Sequence, residues 1–87
     1  MVVAVSSQSA RLMGEFGATR VRVHIQVIGA NTVRVGTACN ELQQPVAGIN
    51  QGLSIVAADG IVSLWWSGEL WVIGSAPNTF FDIEVIR

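Results

Sequence analysis

Between Thr19 and Ile28 apolar and polar residues alternate along nearly the whole run. Val21, Val23, Ile25 and Val27 fall on one side, and Arg20, Arg22, His24 and Gln26 on the other. A period of two is the signature of a β-strand with one face buried. The same pattern returns at Thr79–Ile86. There Phe81, Ile83 and Val85 share one face, and Phe80, Asp82, Glu84 and Ile86 the other. Two half-buried strands so far apart in the chain need a second layer to cover their apolar sides.

The rest of the chain supplies short strands in plenty. Val and Ile make up 21 of its 87 residues, and Gly and Pro interrupt it at short intervals. No segment sustains an apolar period of 3.6, so helix is expected to be nearly absent. Strands are expected at about residues 2–5, 10–13, 19–28, 32–37, 52–57, 61–66, 69–73 and 79–86. Gly29-Ala30-Asn31 and Ser67-Gly68 have hairpin-turn composition. Asp59-Gly60 and Ala76-Pro77-Asn78 are turns as well. The expected fold is all-β, a small antiparallel β-sandwich or jelly-roll-like barrel of seven to eight short strands. The length allows one domain, residues 1–87, with one modest core. Residues 1–13 are either an N-terminal arm or an edge strand. Residues 38–51 form the longest irregular stretch, a length that usually serves function or covers an edge.

Charge narrows the function. Charged residues are 13% of the chain, about half the ~25% typical of soluble domains. The basic residues are five arginines, and the net charge is -1. That balance argues against an electrostatic nucleic-acid binder. One cysteine, Cys39, gives no internal disulfide, and with the single His24 it makes no zinc site on one chain. No apolar run reaches the ~18 residues of a membrane helix. Met1-Val2-Val3-Ala4-Val5 lacks the basic flank and apolar length of a secretory signal. A protein made in a cytoplasm, or assembled from one, is expected. The surface of so small a domain must then be covered by Ser, Thr, Asn and Gln, or by other chains.

Trp65 and Trp66 sharpen that choice. If Ser67-Gly68 is a two-residue turn, Trp66 pairs with Glu69, Trp65 with Leu70 and Leu64 with Trp71. One face then carries Val62, Leu64, Trp66, Trp71 and Ile73. The other carries Ile61, Trp65, Leu70 and Val72. A sandwich with one core can bury only one of these faces, and an apolar face left outside is a liability unless something covers it. Three readings follow: an interface between chains, a cover supplied by residues 38–51, or a platform on which sugar rings stack.

Other constellations carry less. Arg20, Arg22, His24 and Arg34 are expected on one outward face, with Asp82 and Glu84 facing outward on a strand that could pair with it. Cross-strand pairing there would make a solvated face or a contact rim. Asp82 and Glu84 stand roughly 7 Å apart along a strand, within reach of glycosidase spacings, but any alternating acidic strand gives that. His24 and Cys39 lack a third positioning group and an oxyanion site. No phosphate loop, metal spacing or dinucleotide fingerprint is present.

One order of motifs spans most of the chain. Ser7-Gln8-Ser9-Ala10-Arg11-Leu12 precedes Thr19-Arg20-Val21-Arg22-Val23, and Gly29-Ala30-Asn31-Thr32-Val33-Arg34-Val35-Gly36-Thr37 follows. Then come Gln51-Gly52-Leu53-Ser54-Ile55-Val56, Glu69-Leu70-Trp71-Val72-Ile73 and Phe81-Asp82-Ile83-Glu84-Val85. This order resembles small structural proteins of tailed phages and prophages. The resemblance implies a β-sandwich or jelly-roll-like module of the virion that decorates or cements the capsid. It implies no enzyme, no cofactor and no small-molecule substrate. The implied partners are further copies of the chain, a trimer being the first expectation, and the major capsid protein or another virion protein. A tail or fibre component is the alternative within the same class, and a carbohydrate-binding module the alternative outside it. The expected contact residues are Val2, Val3 and Val5, then Leu42, Pro45, Val46 and Ile49, and the hairpin residues Trp65, Trp66, Leu70 and Trp71.

Overall fold

A computed structural model describes residues 1–37 and 52–86. Among these residues are eight strands. They are β1 (Val2–Val5), β2 (Arg11–Glu15), β3 (Val21–Ile28), β4 (Val33–Gly36), β5 (Leu53–Ile55), β6 (Ile61–Trp66), β7 (Glu69–Gly74) and β8 (Thr79–Ile86). A 3-10 turn, Ala57–Asp59, interrupts them. The Asp59 carboxylate fastens it by accepting the Val56 N–H at 2.9 Å.

The strands form two antiparallel four-stranded sheets, ordered β1-β8-β3-β6 and β2-β7-β4-β5. The topology has a simple origin. β1 pairs with β8, β2 with β7, β3 with β6 and β4 with β5. The chain is thus one long ribbon doubled back on itself, with β1 to β4 running out and β5 to β8 running back. Rolling the ribbon brings β3 beside β8 and β4 beside β7, and those two ladders close the sheets. This is the jelly-roll form of a β-sandwich. The connections obey the same ribbon pairing. Phe16 N–H donates to Gly68 O, and Gly68 N–H to Gly17 O. Gly74 N–H donates to Ser6 O.

One core lies between the sheets. From the first sheet it takes Val3 and Val5, the four residues Val21, Val23, Ile25 and Val27, and Phe81 and Ile83. From the second come Val33, Val35, Ile55, Leu70 and Val72. Val62, Leu64 and Trp66 of β6 lie half-buried against this cluster. The N-terminal residues therefore form a strand of the domain. Val3 and Val5 point inward, and Val2 and Ala4 point out.

Two turns read as hairpins are crossovers between sheets. β3 and β4 belong to different sheets, so Gly29-Ala30-Asn31 carries the chain across the sandwich. Ser67-Gly68 does the same between β6 and β7. The reason is the single core. A hairpin at Ser67-Gly68 would put Leu70 on the side opposite Trp66. The crossover lets Val62, Leu64 and Trp66 meet Leu70 and Val72 from opposing sheets. Gly68, at φ 76°, accommodates the bend. The expectation that Arg34 joins the face of Arg20, Arg22 and His24 falls with the first hairpin, because β4 lies in the second sheet.

Edge strand β2 is irregular. Its register against β7 shifts between Leu12 and Gly14, a bulge that bends the edge. The Phe16 ring lies over Gly14, where a Cβ would come within 2.7 Å of it. A second close approach holds the β7–β8 turn. A Cβ on Gly74 would lie 2.5 Å from Cβ and Oγ1 of Thr79. Thr79 is fully buried and its hydroxyl donates to Ala76 O at 2.7 Å. Thr79 cannot yield without losing that bond, so Gly74→Ala should cost about 1–3 kcal/mol through overpacking. Phe81→Ala, at the centre of the first sheet, should cost about 3–5 kcal/mol. Urea unfolding of both variants checks these values.

Candidate functional site

The strand register sorts the outward side chains of the first sheet into rows. Val2, Asp82, Gln26 and Ile61 form one row across β1, β8, β3 and β6. On one side of it stand Glu84, His24 and Ser63, and beyond them Ile86, Arg22 and Trp65. On the other side stand Ala4, Phe80 and Ile28. In a solvated face these positions would be mostly charged or hydroxylic. Here Val2, Ile28, Ile61, Trp65, Phe80 and Ile86 are large, apolar and exposed, Ile61 at 66% and Trp65 at 54%. The surplus apolar surface that the sequence forces on the tryptophan segment therefore sits largely on this face.

Trp65 is held by charge. The guanidinium carbon of Arg22, its cross-strand neighbour, lies 4.5 Å from the ring centroid, and that of Arg20 lies 5.2 Å away. Such stacking is worth ~0.5–1 kcal/mol at an exposed site. The guanidiniums also take up ring surface that a sugar would need. The other tryptophans are engaged within the fold. Trp66 packs on the core, and its indole N–H donates to Glu69 O at 2.8 Å. Trp71 lies half-buried against Ala10 and Ile73 on the outside of the second sheet, its N–H reaching Glu69 Oε2 at 3.4 Å.

The expected contact residues thus separate. Val2 and Trp65 are exposed on the first sheet's outer face. Val3, Val5 and Leu70 are core residues, so in the folded chain they have no side-chain surface to offer. Trp66 and Trp71 are half-buried on different sheets. Leu42, Pro45, Val46 and Ile49, like Cys39, lie outside the described residues. Ile28, Ile61, Phe80 and Ile86 join the face without being among the expected contacts. Their signal is present in the alternation, because each occupies a polar position of its strand.

The polar middle of the face forms a shallow depression of about 60 Å³ lined by His24, Gln26, Ile61, Asp82 and Glu84. Asp82 Oδ1 accepts from the Met1 ammonium at 2.7 Å. The register sets Glu84 against His24 and leaves Arg22 opposite Ile86, so the expected arginine–carboxylate ladder is not formed across this strand pair. Among the described residues no group of three His, Cys, Asp or Glu side chains could hold a metal ion. A larger hollow of about 360 Å³ lies against the second sheet, lined by Ser7, Thr32, Arg34, Ser54, Gly74 and Ser75.

No family model matches the chain, and no curated protein or solved structure matches it significantly.

Because Trp65 alone among the tryptophans is exposed, it should carry most of the collisional quenching. Acrylamide titration of Trp65→Phe is expected to lose the readily quenched part of the emission. A quenching curve unchanged from the parent protein would put another tryptophan at the surface.

Proposed function

We propose that this chain is a non-enzymatic structural protein of a virion, decorating or cementing a bacteriophage capsid through contacts between subunits. The observation that carries the reading is the outer face of the first sheet. Six exposed large apolar residues on one face of an 87-residue domain are a standing cost unless a partner covers them. The jelly-roll strand order agrees with the module that the motif order implies. A small domain that buries little surface by itself gains stability from assembly, because whatever binds the folded state alone pulls the equilibrium toward it. The carbohydrate reading is weaker, since Arg20 and Arg22 already stack on Trp65 and the other two indoles are bonded inside the fold.

Labelling particles tests this. Antibody raised against the purified protein, gold-conjugated, is applied to virions induced from the strain that encodes it. Label over the heads is expected. Label on tails or fibres would move the protein to the alternative within the class, and unlabelled particles would end the reading. On heads, attachment through apolar surface should survive washes in moderate salt. Release by such washes would assign the binding to the arginines instead.

A further inference from the structure

We propose that the outer face of the first sheet pairs with the same face of a second copy, about a twofold axis that runs along the strands between β3 and β8. A twofold in that position keeps each row on itself and exchanges the columns, so that β3 of one copy lies over β8 of the other and β6 over β1. Each row then faces its own mirror order in the partner.

In the central row His24 meets the partner's Glu84, and Glu84 meets the partner's His24. One row on, Gln26 meets the partner's Asp82, an amide donor on a carboxylate acceptor. At the edges of that row Val2 and Ile61, both well exposed, cover each other. In the next row Ile28 meets the partner's Phe80, apolar on apolar. In the row on the other side Arg22 meets the partner's Ile86, whose surface its methylene stem can cover. No row sets like charges over one another. A twofold running across the strands would exchange rows instead, and one placed between the two acidic rows would lay Asp82 over the partner's Glu84.

The area suits a weak, reversible dimer. Strands β1, β8, β3 and β6 have four, eight, eight and six residues, and at ~4.8 Å spacing and ~3.3 Å rise they span roughly 400 Å² on each copy. The total of about 800 Å² lies below the ~1,000 Å² of a stable specific interface and in the range of transient ones. Aligned sheets cross at about 30°, so the match is tightest in the central rows. Trp65 stands in a row that β1 does not reach, so it lies at the rim with Arg20. The twofold takes the place of the threefold arrangement expected from the motif order. It rests on the outer-face contact and not on the virion assignment.

Sedimentation velocity over a dilution series tests it. The parent protein should pass reversibly from dimer to monomer. His24→Glu lays carboxylate on carboxylate at both twofold-related contacts, and Glu84→Arg removes both acceptors and sets a cation against each His24. Each variant should raise the dissociation midpoint by about tenfold or more. Mixed together, the two variants should form a heterodimer close to the parent in affinity. The carboxylate introduced at position 24 of one chain then faces the guanidinium introduced at position 84 of the other. Neighbours within one chain are unchanged by mixing, so recovery reports the contact between chains. Ile61→Asp, at an exposed position, is the second probe and should weaken the dimer without altering the urea midpoint. A parent protein that stays monomeric or forms a trimer overturns the proposal. So does a mixture no tighter than its components, or a dimer indifferent to Ile61→Asp. A monomer that still labels virions ends this inference and leaves the functional reading standing. A twofold dimer that labels nothing does the reverse.

Discussion

The ladder between β3 and β8 closes the molecule. Seven residues of each strand face one another there, from Arg22 against Ile86 to Ile28 against Phe80. Without it the chain is a doubled ribbon with two apolar edges. With it, the four inward residues of β3 and Phe81 of β8 come under the second sheet. The closing partners lie more than fifty residues apart in sequence, so the cost of joining them is met only when both sheets pack. The core and the topology therefore form together. A change that weakens the inner face of β3 or β8 should be felt by both sheets.

That closure also fixes what lies outside. Strand side chains alternate, so every inward residue on β3 and β8 commits its neighbour to the outer face. Val27 and Phe81 inside require Ile28 and Phe80 outside. The interior leaves no place for these residues, because one sandwich of this size has one core. The exposed apolar character of the first sheet is thus a consequence of the sequence pattern under a fixed register. Nor is it spread evenly. Apolar ends flank a polar middle of His24, Gln26, Asp82 and Glu84, and that banding gives the face a direction.

The strands themselves are legible in the sequence. β6 and β8 run between the residues that alternation and turns mark, and β3 differs only at its start. Their partners are not legible. Glycine at positive φ serves a hairpin and a crossover equally well, so Gly29 and Gly68 give no sign of which is present. The tryptophan segment holds the missing information. Apolar residues on both sides of β6 and β7 fit one core only if the two strands belong to different sheets. The same gap hides the Trp65 site. Arg22 and Trp65 both read as outward residues, but they meet only through the pairing of β3 with β6, which no local signal encodes. Val3, Val5 and Leu70 read as contact residues because chain position and apolar type are visible in a sequence while the facing direction is not.

The border of the first sheet has a further consequence. β6 is an edge strand with the sequence Ile61-Val62-Ser63-Leu64-Trp65-Trp66, rich in β-formers and free of charge. Natural edges are usually blunted by lysine, proline or a bulge, as the bulge in β2 does for the other sheet. β6 has none of these within it, and its nearest guards are Asp59 and Glu69 just beyond its ends. Six such residues meet the description of a segment that stacks into cross-β ribbons when its neighbour is lost. Folding and self-templating are therefore in competition along this one strand. The rolled topology protects one side of it through β3, and among the described residues no strand pairs with the other side.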